Sequence, residues 1–157
     1  MKHRIRVCGL IRMDDRLVLI EQVNPVSGRR HWTLPGGGME ASDENIYRAV
    51  EREVFEETGL RAKAGAVRYI SEHFAQSDQC TMLSLWIDCQ PAEGSYGALS
   101  LANTMHDDNI ADVRWWAYED LLTMQGHGIG RLLQQEAFWE NLDAPAGLVT
   151  YLGRTVS

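Results

Sequence analysis

Residues 34–60 read LPGGGMEASDENIYRAVEREVFEETGL, a stretch in which three consecutive glycines precede seven carboxylate side chains. Carboxylates at this density repel one another unless they face water or surround a cation. Ser42 or Asp43 can cap a helix, which we expect to run to about Thr58, because Gly59 suits the left-handed position just past a helix end. The stretch therefore predicts a glycine-rich loop followed by an acidic helix.

The position of each acid around the predicted helix separates the acids into two groups. At about 100° per residue, Glu53, Glu56 and Glu57 share one face, because they are spaced i, i+3 and i+4. That face borders the apolar stripe, whose members are Ile46, Tyr47, Val50 and Val54. The residues opposite the stripe are Glu44, Arg48, Glu51 and Phe55. Glutamates beside a buried stripe favour a divalent cation such as Mg²⁺ or Mn²⁺. A solvated helix whose glutamates pair with Arg48 and Arg52 is the alternative.

The three glycines add a second feature that is typical of a ligand site. Gly36–Gly38 allows the backbone to approach a ligand closely, so that N–H groups reach a phosphate and carbonyl groups reach a metal. A run of glycines by itself is more typical of a turn. Beside a carboxylate face, it indicates a site for a metal ion and a phosphate-bearing ligand.

The composition limits the classes of function. The 157 residues suit one domain, which we expect to span residues 1–157, and the formal net charge of −7 argues against stable nucleic-acid binding. Cys8, Cys80 and Cys89 form no CxxC pair, so we expect reduced core residues and no zinc site. We find no signal peptide and no apolar run of about 18 residues, which predicts a cytoplasmic protein without a membrane span.

Strand patterns lie on both sides of the acidic helix. They are IRVCGLIRM, RLVLIEQV and HWTLP before it, and AVRYISEHF, CTMLSLWIDC and IADVRWWAY after it. We expect AVRYISEHF and CTMLSLWIDC to form a hairpin, EDLLTM and GRLLQQEAFWENL to form helices, and residues 91–109 to form a long polar loop. Residues 143–157 show no clear pattern. Together the elements predict a mixed sheet flanked by helices.

Residues 38–60 fill every fixed position of the spaced pattern G-x5-E-x7-R-E-U-x-E-E-x-G-U, in which U is a bulky aliphatic residue. The residues at the fixed positions are Gly38, Glu44, Arg52, Glu53, Val54, Glu56, Glu57, Gly59 and Leu60. This pattern resembles the Nudix box, and the order of the surrounding strands resembles the Nudix domain more weakly. The resemblance implies an α/β fold, a Nudix-type α/β/α sandwich with a mixed β-sheet between helices.

The resemblance also implies a reaction and a set of roles. Nudix family members hydrolyse a pyrophosphate bond in a nucleoside diphosphate linked to another group, and they use Mg²⁺ or Mn²⁺. By position, Glu56 and Glu57 match metal ligands, and Glu53 matches a metal ligand or a catalytic base. Arg52 matches a residue that orients a glutamate, and Glu44 matches a position that supports the site.

One departure from the family pattern affects the carbonyl ligand. Gly38 matches the glycine whose carbonyl binds metal. Family members commonly read G-G-x-x-E-x-G-E before the helix, whereas this chain reads GGGMEASDE. Asp43 therefore stands where a glycine is usual, and Glu40 is one residue out of step. Gly37 remains an alternative to Gly38 as the carbonyl ligand.

Several residues outside the box are candidates for the rest of the site. Arg29 and Arg30, beside His31, and Gly37 are candidates for binding substrate phosphates, with a basic hairpin tip as the alternative for the arginines. Many relatives use a further acid from a distant loop, either as metal ligand or as base. The candidates for it are Asp107, Asp108, Glu93 and Asp112, and HDDN is favoured because it lies in the long loop. Each is otherwise an ordinary loop acid. The tryptophans could stack a base, but their strand patterns favour the core.

Two functions fit these features. The first is a metal-dependent nucleotide pyrophosphohydrolase, and the second is a catalytically silent nucleotide-binding or regulatory module on the same fold. Degenerate modules lose box glutamates, and this chain retains Glu53, Glu56 and Glu57, which favours the enzyme. An isopentenyl diphosphate isomerase ranks below both, since chains of that branch are usually longer. The expected partner is a small nucleotide or nucleoside diphosphate derivative, and the sequence allows a homodimer.

Overall fold

The computed structural model describes residues 1–94, 98–105, 109–124 and 126–157, with the backbone alone at residue 127. Within these ranges the strands are β1 (Lys2–Leu10), β2 (Arg12–Met13), β3 (Arg16–Val23), β4 (Arg30–Thr33), β5 (Gly36–Gly38), β6 (Ala62–Ala75), β7 (Cys80–Pro91), β8 (Ile110–Ala117) and β9 (Thr150–Val156). The helices are α1 (Ile46–Thr58), α2 (Tyr118–Thr123) and α3 (Glu136–Glu140), and short 3₁₀ turns cover Gly126–Gly128 and Arg131–Gln134.

The strands form two sheets. The first has the order β5-β1-β7-β6-β9 and is mixed, because β1 pairs with β7 in parallel while β1–β5 and β6–β7 are antiparallel pairs. In the second sheet, β3 pairs with β2 and β4 along one edge and with β8 along the other. The hairpin expected from the sequence is the β6–β7 pair, which closes at Ala75 and Cys80.

Two hydrophobic clusters lie on opposite faces of these sheets. Side chains alternate along β3, so Val18 packs toward α1 while Leu17 and Leu19 pack toward the C-terminal helices. The buried residues of the α1 cluster are Val7, Ile11, Val18, Ala49, Val50, Val54, Leu60, Leu85, Ile87 and Cys89. The opposite cluster includes Leu121 from α2 and Phe138 from α3. Helices therefore cover both faces of a mixed-sheet core, and the fold class expected from the sequence is confirmed.

Helix α1 begins two or three residues later than the sequence pattern indicated. Its cap is Asn45, whose side-chain oxygen accepts hydrogen bonds from the N–H groups of Tyr47 and Arg48, both at 3.0 Å. The expectation of Ser42 or Asp43 as the cap is wrong. The end of the helix agrees with expectation, since Gly59 has φ 76° in the left-handed region and its N–H donates to the Phe55 carbonyl.

Asn45→Ala should lower the free energy of unfolding by about 1 kcal/mol, because two N–H groups of the first helical turn lose their acceptor. Ser42→Ala, at an exposed position just before the helix, should change it by less than about 0.5 kcal/mol. Urea unfolding of both variants checks the assignment. A larger loss for Ser42→Ala than for Asn45→Ala would contradict it.

Four other local expectations are corrected. Gly36–Gly38 is an edge strand and not an irregular loop, because it pairs with β1. Tyr47 is 45% exposed, since the buried face of α1 turns instead toward Glu53 and Glu57. The segment expected as one helix, GRLLQQEAFWENL, divides into a 3₁₀ turn and α3 at Gln135. The unpatterned C-terminus contains β9, which pairs in parallel with β6.

The aromatic and cysteine side chains are largely core residues. Trp32 is buried, and the half-buried Trp86, Trp115 and Trp116 pack against the two clusters. The thiols of Cys8, Cys80 and Cys89 are free and buried. Within the described residues, no helix has the length and apolarity that crossing a membrane requires.

Candidate functional site

Two of the three clustered glutamates are buried where α1 meets β5. Glu53 is 7% exposed and Glu57 is 3% exposed, while Glu56 is half-buried. The Gly36 N–H donates to Glu57 Oε1 at 2.6 Å. A β-carbon built on Gly37 would lie 2.5 Å from Glu53 Oε1. The Glu53 carboxylate therefore occupies space that any side chain at position 37 would fill. The helix face and the glycine strand thus form one site.

Arg52 connects the carboxylates of this site. Its Nε and Nη2 donate to the two oxygens of Asp43 at 2.9 and 2.8 Å. Its Nη1 donates to Glu53 Oε1 at 2.9 Å and to Glu56 Oε2 at 3.3 Å. The hydrogen bonds from Arg52 hold the pKa of Asp43 below its usual value, so Asp43 is a carboxylate at neutral pH.

The carbonyls of Gly37 and Gly38 point in different directions. Gly37 is opposite Val7 in the antiparallel pair of β5 with β1. The Met39 N–H bonds to a β1 carbonyl at 2.9 Å, and hydrogen-bonded pairs recur at every second residue, so the Gly37 carbonyl is directed at β1. The Gly38 carbonyl instead accepts from Arg52 Nη2 at 3.3 Å, on the side of α1.

Arg6 of β1 lies beside the buried glutamates, and the sequence reasoning did not single it out. Its Nη2 donates to the Gly36 carbonyl at 3.2 Å. The pKa of Arg6 is raised, first by Cys8 and then, less strongly, by the two buried glutamates. Burial, followed by the charge of Arg6, lowers the pKa of His31. The signal that could have indicated Arg6 is a cation inside an otherwise apolar strand pattern.

The donor set fits a divalent cation. Four carboxyl groups (Asp43, Glu53, Glu56 and Glu57) are grouped with the guanidinium groups of Arg52 and Arg6, and Glu40 lies 3.7 Å from Arg52 Nη1. Carboxylate and carbonyl oxygens are the ligands that Mg²⁺ and Mn²⁺ prefer. The described part of the chain holds no group of three or more His, Cys, Asp or Glu side chains already arranged around one cation position. Arg52 Nη1 lies between Glu53 and Glu56 instead.

The other sequence candidates lie outside this group or outside the described residues. Glu44 is exposed, and the acid that contacts Arg52 is its neighbour Asp43. Arg29 and Arg30 are exposed at the β3–β4 connection, where Arg30 pairs with Glu21 at 3.1 Å. Glu93 is exposed in the turn after β7, and the Asp112 carboxylate is held by Arg114 at 2.7 Å. Asp107 and Asp108 fall outside the described residues.

Asp43 is the functional candidate that the sequence reasoning passed over. Its side chain is 5% exposed, and it binds Arg52 through both oxygens. The available signal was the departure from the family pattern, which put an acid where a glycine is usual. Since that pattern assigns no role to the position, only the folded chain shows that Asp43 reaches the site.

Comparison with known proteins identifies the family of this chain. The family model described as the NUDIX domain matches residues 2–135. The chain is 28% identical over 127 residues to phosphatase NudJ of Escherichia coli strain K12, which covers 77% of this chain and 72% of the relative.

Among solved structures, a NUDIX hydrolase from Nitrosomonas europaea has a TM-score of 0.72 and 23% identity, covering 91% of this chain and 90% of that one. An ADP-ribose pyrophosphatase from Streptococcus suis has a TM-score of 0.61 and 18% identity, covering 94% and 98% of the two chains. These structures share the fold described above. The family match over residues 2–135 establishes that the chain belongs to the Nudix family and is a hydrolase acting on phosphorus-containing anhydrides.

Proposed function

We propose that this chain hydrolyses the pyrophosphate bond of a nucleoside diphosphate linked to another group, and that it requires Mg²⁺ or Mn²⁺. The observation that carries the proposal is the burial of Glu53 and Glu57 beside Glu56 and the glycine strand. Carboxylate and carbonyl oxygens grouped in this way are the ligands that Mg²⁺ and Mn²⁺ prefer, which is why we place a divalent cation here.

We assign the metal-binding role to Glu53, Glu56, Glu57 and the Gly38 carbonyl. Gly38 is preferred over Gly37 because the Gly37 carbonyl is engaged with β1, whereas the Gly38 carbonyl faces α1. A bound divalent ion would neutralise charge on the pyrophosphate oxygens and lower the pKa of a bound water.

The residues of the chain carry the remaining steps. Glu53 is the proposed proton acceptor for the attacking water, because its carboxylate is held between Gly37 and Arg52 Nη1. As the new P–O bond forms, the anhydride P–O bond breaks and the leaving phosphate takes the electron pair. Before a cation binds, Arg52 fixes the orientation of Glu53 and Glu56. Arg29 and Arg30 remain candidates for contacts with substrate phosphates, and Asp107 and Asp108 remain candidates for a distal acid. Gly37 is disfavoured as a phosphate donor, because its pairing with Val7 directs its N–H as well as its carbonyl at β1.

We further propose that residues 1–157 form one domain. The C-terminal segment beyond the matched family model supports this, since β9 completes the first sheet through its pairing with β6. The three free, buried thiols are consistent with a reducing, cytoplasmic location.

A substrate screen tests the proposed function. Purified protein is incubated with ADP-ribose, UDP-sugars, nucleoside triphosphates and dinucleoside polyphosphates, in Mg²⁺, in Mn²⁺ and in excess chelator, and released phosphate products are measured. The first two classes are included because similar structures are an ADP-ribose pyrophosphatase and a UDP-X diphosphatase. We expect turnover of at least one substrate with metal and none with chelator. Tight nucleotide binding without turnover would favour the silent regulatory module.

Glu56→Gln should lower the turnover of the best substrate about tenfold, because it removes one charge of the metal-binding face while keeping the side-chain shape. Glu51→Gln is the matched control, since Glu51 lies on the same helix and pairs with Arg48 away from the site. Steady-state kinetics at saturating metal give the comparison. Full activity of Glu56→Gln would sink the proposed mechanism.

A further inference from the structure

We propose that Asp43 is a positioning residue that anchors Arg52, so that Glu53 and Glu56 can turn to a divalent cation. This inference rests on the proposed function, and it assigns to Asp43 the supporting role that the box pattern would give to Glu44. It concerns the affinity of the site for a divalent cation and not which substrate is cleaved.

The contacts of Asp43 are those of an anchor. Both of its oxygens accept hydrogen bonds from Arg52, from Nε at 2.9 Å and from Nη2 at 2.8 Å. This paired arrangement is the strongest that a carboxylate and a guanidinium group form. Asp43 Oδ2 also accepts the Glu40 N–H at 2.8 Å, which fixes the carboxylate to its own loop. With 5% exposure, the Asp43 side chain has little freedom to turn away.

Arg52 and a divalent cation compete for the same oxygens. In this structure Arg52 Nη1 donates to Glu53 and Glu56, and Arg52 Nη2 contacts the Gly38 carbonyl. A cation that takes the lone pairs now bonded to Nη1 would displace Nη1 from the two glutamates. Because Asp43 holds Nε and Nη2, Arg52 retains two charge-assisted hydrogen bonds after that displacement. Without Asp43, Arg52 would have the glutamates as its main partners and would oppose the cation more strongly.

Glu44 is not placed for this task. It is exposed, whereas Asp43 is the neighbouring acid that binds Arg52. The other nearby acid, Glu40, is 61% exposed and approaches Arg52 Nη1 only to 3.7 Å. Exposed pairs of that kind contribute little. Substitutions at Asp43 and at Glu44 therefore distinguish two assignments of the supporting role: Asp43, which contacts Arg52 in the structure, and Glu44, which matches the box position.

The test measures Mn²⁺ affinity directly, by electron paramagnetic resonance of free Mn²⁺ in the absence of substrate. We expect Asp43→Asn to raise the Mn²⁺ dissociation constant about tenfold, as loss of a partner behind a metal ligand typically does. Glu51→Gln, which removes the same charge from the exposed Arg48 pair, should leave it within about twofold. Asp43→Ser, whose hydroxyl can still accept the Glu40 N–H, is the second variant if Asp43→Asn does not fold.

A double-mutant cycle separates an anchor from a merely structural residue. If Asp43 acts through Arg52, Asp43→Asn should have little further effect on Mn²⁺ affinity in an Arg52→Lys background, since lysine cannot form the paired contact. Additive effects would overturn the proposal. It would also be overturned by wild-type Mn²⁺ affinity in folded Asp43→Asn, or by a larger loss in Glu44→Gln than in Asp43→Asn.

Failure of this inference can be distinguished from failure of the proposed function. If the wild-type chain binds no Mn²⁺, the proposed metal-dependent function fails and the inference falls with it. If the wild type binds Mn²⁺ and hydrolyses a substrate while folded Asp43→Asn binds Mn²⁺ equally well, only the role of Asp43 is wrong. Circular dichroism of each variant confirms that the compared proteins are folded.

Discussion

Gly37→Ala is expected to lower kcat/KM about 100-fold while the protein remains folded. The new β-carbon would lie 2.5 Å from Glu53 Oε1 and 2.6 Å from the carboxyl carbon, so the carboxylate must move by about 1 Å. That movement also breaks the contact of Glu53 with Arg52 Nη1 at 2.9 Å. Because the displaced atoms are the end of a rotatable side chain, the cost falls on the site and little of it on the fold. Steady-state kinetics and a thermal melt measure the two effects.

Gly38→Ala is the matched comparison for this prediction. A β-carbon on Gly38 meets nothing within 4 Å, and neither glycine has a positive φ, so backbone strain does not distinguish the two variants. Alanine also retains the carbonyl. Gly38→Ala should therefore lose far less activity than Gly37→Ala. Equal losses, or a larger loss in Gly38→Ala, would show that Gly37 does not act through the space it leaves for Glu53.

The glutamate face of α1 could be predicted from the sequence because its geometry is local. Glu53, Glu56 and Glu57 lie within one helix, whose 3.6-residue period fixes their common side whatever the rest of the chain does. The same period indicated that this side borders the core, which the burial of Glu53 and Glu57 confirms. A spacing rule succeeds here since no partner from elsewhere in the chain is needed.

The features that were missed depend on partners distant in the sequence. Gly36–Gly38 is a strand only because β1 offers hydrogen bonds, and β9 is a strand only because β6 does. The glycines of β5 have no side chains to form a strand pattern, and in β9 the strand-favouring residues are interrupted by Gly153 and Arg154. Asp43 contacts Arg52, nine positions further along the chain, from the loop that precedes the Asn45 cap. Tertiary contacts of this kind leave little trace in local sequence.

Arg68→Met is expected to lower the free energy of unfolding by about 3 kcal/mol. Arg68 of β6 is 5% exposed, and its Nη2 donates to the carbonyls of Leu142 at 3.0 Å and Ala144 at 2.6 Å, with a longer contact to Asn141 at 3.4 Å. Its Nη1 lies 3.5 Å from Asp88. Methionine has similar length but no donors, so these partners lose their hydrogen bonds. Urea unfolding measures the loss.

Arg12→Met is the control that distinguishes loss of the Arg68 hydrogen bonds from loss of any positive charge near residues 141–144. Arg12 pairs with Asp143 at 2.8 Å. Asp143 lies in the sequence between Leu142 and Ala144, whose carbonyls bind Arg68, but its own side chain is 91% exposed. An exposed pair contributes less than about 1 kcal/mol, so Arg12→Met should be the milder variant. Hydrogen exchange adds a spatial readout: because the loop held by Arg68 precedes β9, Arg68→Met should reduce protection in Thr150–Val156 more than Arg12→Met does. Equal destabilisation by the two variants would mean that Arg68 does not tie the C-terminal segment to β6.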